Sequence, residues 1–497
     1  MKIILHSLLF SLSINLIAQT SEKIQILNAN NSYANSEIHP EYWRLIGDVS
    51  FKHNDAIMYC DSAYHYINND KVKAFGNIKI NQGDTLTITG ENLTYFGPES
   101  KINISGNVIL IDKYMILKTN HIFYNLVSNI ALYPNIGEIF ENEKTIKSKK
   151  GKYNSNTHFF YFSDSVSVNA QDYNIYTDNM NYDANKEITY FFGPTFINSE
   201  SKSIYCENGW YNTKTDISQF RKNSYITIND QVLKGDSLYY NKNIGYANAI
   251  NNVQVIDTSQ NIIVYGDFAE YFEEKKIIEI TKKPLLLMIS ENDTLFLHAK
   301  KFVSNQNDTS KRIYAYNNVK FFKEDFKGKC DSLSYDFTDS ILTMFTLPII
   351  WINEFQITAD SLFFILKKGD LREIHLSSSP FITFQDDSLD YNQIQGKKMT
   401  AYFNENKISK IDVYGNGQTI FFLSEDNTSK KIGLNYTECS NLSLYFNKNK
   451  LTKINYEKKP SSIIIPYHDI SFEERFLEGF VWRNSEQPKV KEDIFTE

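Results

Sequence analysis

The chain has 497 residues, 42% of them hydrophobic, which exceeds one ordinary domain and suffices to bury a large core, so wholesale disorder is excluded. Its net charge of −7 is modest and spread along the chain, which removes the electrostatic case for nucleic acid as a partner. With 33 Tyr and 35 Phe and no long Ala, Leu, Glu and Lys runs at helical spacing, the composition is that of strands.

The first element in chain order is "MKIILHSLLFSLSINLIAQT", one Lys followed by an apolar run and then small and polar residues around Ala18 and Gln19. It predicts a secretory signal peptide over 1–19. Ser and Asn interrupt the run, which falls short of the ~20 apolar residues of a clean membrane span. No Cys follows the expected cleavage point to carry a lipid anchor, and no later apolar stretch has spanning length, so a soluble exported body is expected.

From residue 60 a single pattern recurs. Small residues stand at Cys60, Gly90, Thr119, Ser148, Thr177, Cys206, Gly235, Gly266, Ala299, Cys330, Ala359, Gly396 and Cys439, at first 29 or 30 residues apart and later up to 43. A fixed period of this kind predicts stacked units, none of which can bury its apolar face until a neighbour covers it. The fourth position of each unit is apolar or small throughout, and its large members Leu93, Ile122, Met180, Leu238, Phe302, Leu333, Leu362, Met399 and Leu442 are expected to face inward. The sixth position is Tyr at 95, 124, 153, 182, 211, 240, 271 and 335. Alternate positions are apolar, the period of a strand with one buried face.

Turn formers such as "INND", "FGPES", "DANKE" and "NKNIG" end the first strand of a unit. A second strand is predicted to begin after Gly76-Asn77, Gly106-Asn107, Gly193-Pro194, Asn251-Asn252, Asn317-Asn318 or Gly415-Asn416, pairs that tolerate the positive φ of a corner or bulge. "RLIGDVSF", residues 44–51, reads as half of a further unit. The repeats are expected over 40–460, in about thirteen two-strand units, with a tail or cap over 461–497. Whether a unit is one rung or an antiparallel pair is open at this stage, as is the direction in which the Tyr column points.

Few positions carry chemistry. The four Cys all fall in the small-residue column, several units apart and beyond disulfide reach, so packing is expected of them. The second column is mostly acidic, with Asp61, Glu91, Asp178, Glu207, Asp236, Asp267, Asp331 and Asp360, but Lys149, Lys300 and Lys397 also occupy it. A solvated outer or turn-side position explains that mixture better than paired catalytic carboxylates or a Ca²⁺ site. No nucleophile elbow, zinc, phosphate or dinucleotide motif appears, so no enzyme, cofactor or metal is expected. Lys144, Lys147, Lys149, Lys150 and Lys152 form a basic cluster that reads as an exposed strand face.

"YCDSAYHY…AFGNIKI", "TGENLTYF…ISGNVIL" and "LKGDSLYYNKN…AINNVQVI" together resemble the OstA-like family, the periplasmic lipopolysaccharide-transport proteins, over roughly residues 40–455. The C-terminal "GFVWRNSEQPKVKEDIF" looks like the tail of long OstA-like proteins of the Bacteroidetes type. The resemblance implies an all-β fold, an elongated folded-over β-jellyroll whose apolar interior carries the acyl chains of lipopolysaccharide or a related glycolipid through the periplasm to the outer membrane. It also implies partners: other jellyroll proteins of the pathway through edge strands, and the outer-membrane assembly machinery. The nine large inward residues above would line the groove. Independently, exposing a chain of about a dozen methylenes to water costs on the order of 10 kcal/mol, so an aqueous crossing needs a continuous apolar surface. The competing expectation is a structural or polysaccharide-binding β-solenoid at the cell surface, with a tightly filled core and an aromatic outer stripe.

Overall fold

A computed structural model of the protein describes residues 23–496 except 36, 38, 142, 291–292, 308–309, 368–369, 388, 405–406, 426–429 and 449. The signal-peptide reading of 1–19 lies outside the described residues. The fold is all-β. Apart from short 3-10 turns, the described elements are strands, paired antiparallel with their neighbours.

Strands Ala56–Tyr66, Lys71–Gln82, Leu86–Phe96, Lys101–Asp112 and Met115–Asn125 pair in succession. Each ladder slips once near its middle, between Tyr59 and Ser62, Phe75 and Ile78, Thr89 and Asn92, and Ser105 and Val108. At the slip one strand carries two successive residues of positive φ, Gly76 and Asn77 or Gly106 and Asn107, the mark of a bulge that bends its strand. The bend is sharp. His53 shares a hairpin end with Leu86 through the pairings His53↔Ala56, Ala56↔Gln82 and Gln82↔Leu86, whereas Tyr95 lies nine residues further along its strand. A straight strand would carry Tyr95 about 30 Å away from that end, yet its hydroxyl is hydrogen-bonded to His53 Nδ1. The strands therefore double back at the bulge into two facing arms, a folded-over jellyroll with its apolar side chains between them.

Two expectations are refined. The Gly-Asn pairs do not start strands; they are corners inside continuous ones such as Lys71–Gln82. One repeat unit is thus an antiparallel pair of doubled strands. The acidic column sits outside the corner and clamps it: Asn77 Nδ2 donates to Asp61 at 2.9 Å, Asn107 to Glu91 at 2.6 Å, Asn223 to Glu207 at 2.8 Å and Asn252 to Asp236 at 2.8 Å. Where Lys149 takes the acidic place, its neighbour Lys150 meets the corner residue Asp164 at 2.7 Å instead.

The chain divides into two compact units, Met1–Thr195 and Phe196–Glu497. In the first, the outermost strands are Gln25–Asn28 and Asn31–Asn35, which pair with His39–His53 on one side only, so the free edge is there. In the second, many corners interrupt the strand, so that Ile277–Thr281 and Leu285–Ile289, for example, are the two arms around Lys282 and Lys283. The ladder runs on through Ser461–Pro466. The following residues neither hang free nor cap the end; they run back along the outer face of the arm opposite the tyrosines. The side-chain amide of Gln393 donates to Arg475 O at 2.7 Å and accepts from Leu477 N at 2.8 Å. Gln356 does the same with Val481 O and Arg483 N, both at 2.7 Å. Further on, Lys329 pairs with Glu486 at 2.8 Å and Lys320 reaches Thr496 O at 2.6 Å. Leu477 completes a buried cluster with Phe381, Ile420, Phe422 and Leu434.

Candidate functional site

Within each unit the inner faces of the two arms make an apolar surface. Leu93, Ile122 and Met180 lie on it in the first unit and Leu238, Phe302, Leu333, Leu362, Met399 and Leu442 in the second, each at most 3% exposed. They sit three residues past the small-residue column, close to the corner and thus at the bottom of the groove. What distinguishes one stretch from another is how the far ends of the arms, the mouth, are closed.

In the unit Met1–Thr195 the mouth is latched by the tyrosine column. Tyr124 donates to Gln82 Oε1 at 2.8 Å and Tyr182 to Glu141 Oε1 at 2.8 Å, while Tyr153 donates to Asp112 and Tyr95 pairs with His53. Each partner lies 41 or 42 residues earlier, at the end of the opposite arm. The four rings are buried, and burial pushes the hydroxyls of Tyr95, Tyr124, Tyr153 and Tyr182 well above the usual phenol range, Tyr124 to about 12. Behind them Val72, Ile80, Ile88, Ile104, Leu110 and Leu117 are fully buried, at roughly 1.5–3 kcal/mol of stabilisation each. Here the interior is a filled core.

Within Phe196–Glu497 the closure changes. From Phe326 onward aromatic pairs cross the mouth, Phe326 edge-on to Phe364 at 5.4 Å and Phe355 to Phe446 at 5.6 Å between ring centroids. Between strands Lys202–Asn212 and Phe326–Asp336 the inner positions nearest the mouth, Ile204, Ile226, Leu233, Val255 and Ile278, are only half-buried. Tyr240 turns its hydroxyl to Glu273 of its own arm at 3.2 Å, and Lys202 of the opposite arm lies 5.7 Å from its ring centre. Tyr271 and Tyr335 are likewise half-buried.

Two cavities lie along this stretch. One, of about 40 Å³, is lined by Val255, Ile262, Val264, Ile278, Ile280, Phe302 and Ile313, with Gln231, Asp257 and Lys311 on its rim. The other, of about 10 Å³, follows it between Leu286, Met288, Leu297, Phe302, Ile313 and Leu342. The larger holds a few water-sized guests; a long aliphatic chain requires the arms to part. Across the rim Lys311 is ion-paired with Asp257, which also accepts from Gln231 Nε2 at 2.9 Å. Burial alone would raise the Asp257 carboxyl, but hydrogen bonds from Lys311, Ser259 and Gln231 outweigh it and bring it down to about 2.

Of the nine predicted groove residues, Phe302 and Leu333 line these cavities. Sequence reasoning missed the residues nearer the mouth, from Ile204 to Ile313, and the rim groups Asp257 and Lys311. Their only trace is the residue 41 or 42 places before each column tyrosine: His53, Gln82, Asp112 and Glu141 latch, whereas Asn198, opposite Tyr240 by that count, accepts from Ser203.

The remaining candidates are structural. Cys60, Cys206, Cys330 and Cys439 are buried free thiols. In the basic cluster Lys147 pairs with Glu138 and Lys150 with Asp164, both at 2.7 Å, Lys144 lies 3.7 Å from Glu141, and Lys152 stands over the Tyr161 ring. Among the described residues no group of three His, Cys, Asp or Glu side chains is placed to hold a metal ion, and no helix is long and apolar enough to cross a membrane.

Doubled antiparallel strands, latched or propped open around an apolar interior, define an all-β protein of the folded-over jellyroll class. Residues 21–178 and 172–231 match the model of the OstA-like protein family, so the likeness covers 21–231, somewhat less than half of the chain. No curated protein matches. Among solved structures the chain is similar to LptH, the LptA-homologous periplasmic component of the conserved lipopolysaccharide transport device of Pseudomonas aeruginosa. The identity is 10% and the TM-score 0.16, over 29% of this chain and 82% of that one.

Proposed function

We propose that the protein is a periplasmic lipid-binding protein that shields the acyl chains of lipopolysaccharide or a related glycolipid in its apolar groove during transport to the outer membrane. The observation that carries this reading is the stretch between Lys202–Asn212 and Phe326–Asp336, where aliphatic inner positions stay half-exposed and cavities persist between the arms. A solenoid built only for structure would fill such positions, as the first unit does. The free edges, residues 25–35 in the first unit and 450–466 in the second, expose unpaired backbone groups suited to strand addition by other jellyroll proteins of the pathway or by outer-membrane assembly partners.

One observation favours a second reading for the first unit. Tyr42, Tyr64, Tyr66 and Phe75 cluster on its outer face, with the Lys71 and Lys73 ammonium groups over the Tyr66 ring, a platform suited to sugar rings. The deciding experiment places a photo-crosslinking amino acid at Leu233, on the inner face, and separately at Asp236, on the outer, in cells that make lipopolysaccharide. Lipopolysaccharide adducts from Leu233 alone are expected. Protein-only products from both positions would overturn the lipid reading in favour of a structural or polysaccharide-binding solenoid.

A further inference from the structure

The groove is not uniform, and its variation carries an inference that rests on the acyl-chain reading above. We propose that acyl chains occupy only the stretch between strands Lys202–Asn212 and Phe326–Asp336, and that they enter it sideways, through a mouth barred by the Lys311–Asp257–Gln231 bridge.

Three observations converge. First, the interior of Met1–Thr195 is sealed by four buried tyrosine latches, two of which end on the carboxylates of Asp112 and Glu141. Parting the arms there would strand buried charges in an apolar setting, which is costly. Second, beyond Phe326 aromatic pairs, Phe326 with Phe364 and Phe355 with Phe446, close the mouth, and Leu362, Ile374 and Ile411 behind them are fully buried. Third, in the intermediate stretch the contacts across the mouth are of a different kind. Lys202 over Tyr240 and Lys311 on Asp257 use long, flexible side chains, and the Lys311 side chain is 31% exposed. When the arms part, both ammonium groups swing into water, while the buried Asp257 carboxylate keeps its hydrogen bonds from Gln231 and Ser259 on its own arm, so opening breaks one ion pair and strands no unpartnered charge.

The bridge lies directly over the larger cavity, and Phe302 and Ile313 line both cavities, so a chain end admitted there meets a continuous aliphatic wall. Inside the rim the polar side chains that line this wall are Ser304 and, at the smaller cavity, Tyr335. The occupant is therefore a straight hydrocarbon chain whose polar head stays outside, beside Lys311 and Lys202.

The test uses the full chain with Asp257→Cys and Lys311→Cys bridged by a short bismaleimide, and a dodecanoyl chain carrying an environment-sensitive fluorophore as probe. The four native thiols are buried, and the reagent-treated parent serves as the control for them. Bridging is expected to weaken probe binding at least tenfold relative to the same variant before bridging, which also controls for its folding. Unchanged binding after bridging would overturn side entry. Separately, a photo-crosslinker at Leu233 is expected to capture the probe and one at Ile104 is not; capture at Ile104 would overturn confinement to this stretch while leaving the lipid reading intact. A parent protein that fails to bind the probe at all would overturn the acyl-chain reading itself.

Discussion

Tyr153 shows what a single residue does in this fold. Its ring is 1% exposed and its hydroxyl donates to Asp112, itself 7% exposed, so one hydrogen bond ties the end of one arm to the end of the other. Tyr153→Phe keeps the ring and removes the donor, leaving a buried carboxylate short of a partner. The expected cost is about 1–3 kcal/mol, read as a lower urea midpoint at unchanged slope; an unchanged midpoint would show that the latch contributes nothing. The tyrosine column was legible from its period, but its direction was not. The partners His53, Gln82, Asp112 and Glu141 share only the ability to bond a hydroxyl, so no motif announces them, and the spacing becomes meaningful only once the strand is known to double back. The cysteines were more transparent: burial pushes the thiols of Cys60, Cys206 and Cys330 up to about 12, in keeping with packing and not with reactivity.

At the scale of the element, the corner is the device on which everything depends. Gly106 has φ +84°, and a Cβ there would stand 2.4 Å from Glu91 Oε2 and 2.8 Å from its Cβ. Gly106→Ala therefore meets both the left-handed backbone penalty of about 1–2 kcal/mol and a displaced corner clamp. It should destabilise the first unit by at least that amount, read as a lower urea midpoint at unchanged slope, and a neutral substitution would contradict the account of the bulge. Glycine and asparagine corners were readable because their chemistry matches their conformation. Others were not: Lys282 and Lys283, Lys458 and Lys459, and Thr346 and Leu347 all adopt positive φ at equivalent places. Nothing local favours it there. The arms on either side bury their inner faces against neighbours, and that packing overrides the preference of the two residues between them.

Across the molecule, the C-terminal segment acts as a strap over the outer face of the second unit. Glu486 anchors it, accepting two hydrogen bonds from Arg483 at 2.6 and 2.8 Å and one from Lys329 at 2.8 Å. The Arg483 bonds chiefly, and then Lys329, hold its carboxyl down at about 2, against about 4.3 in an unfolded chain. A depressed carboxylate contributes stability in full above the unfolded value and loses it as pH falls toward the folded one. Hydrogen-exchange protection of residues 483–496 is thus expected to hold from pH 8 to 5 and to fall between about pH 4 and 2, ahead of strand Ile349–Ile352 beneath. Loss of both together would mean that the strap is not a separately held element.

The sequence by itself determined the all-β class, the repeat, the small-residue and inward columns and the family likeness, because alternation and period are properties of neighbours along a chain. That the strands fold over was implied by the family likeness, but the sequence did not determine where each strand turns back, that the acids clamp corners, that the tail turns back as a strap, or how the arm ends are closed. Those follow from contacts between residues 16 to 176 positions apart, and only the tertiary structure brings them together. What varies along the described strands is how the arm ends meet, through a buried tyrosine, a pair of phenyl rings or a lysine–carboxylate ion pair.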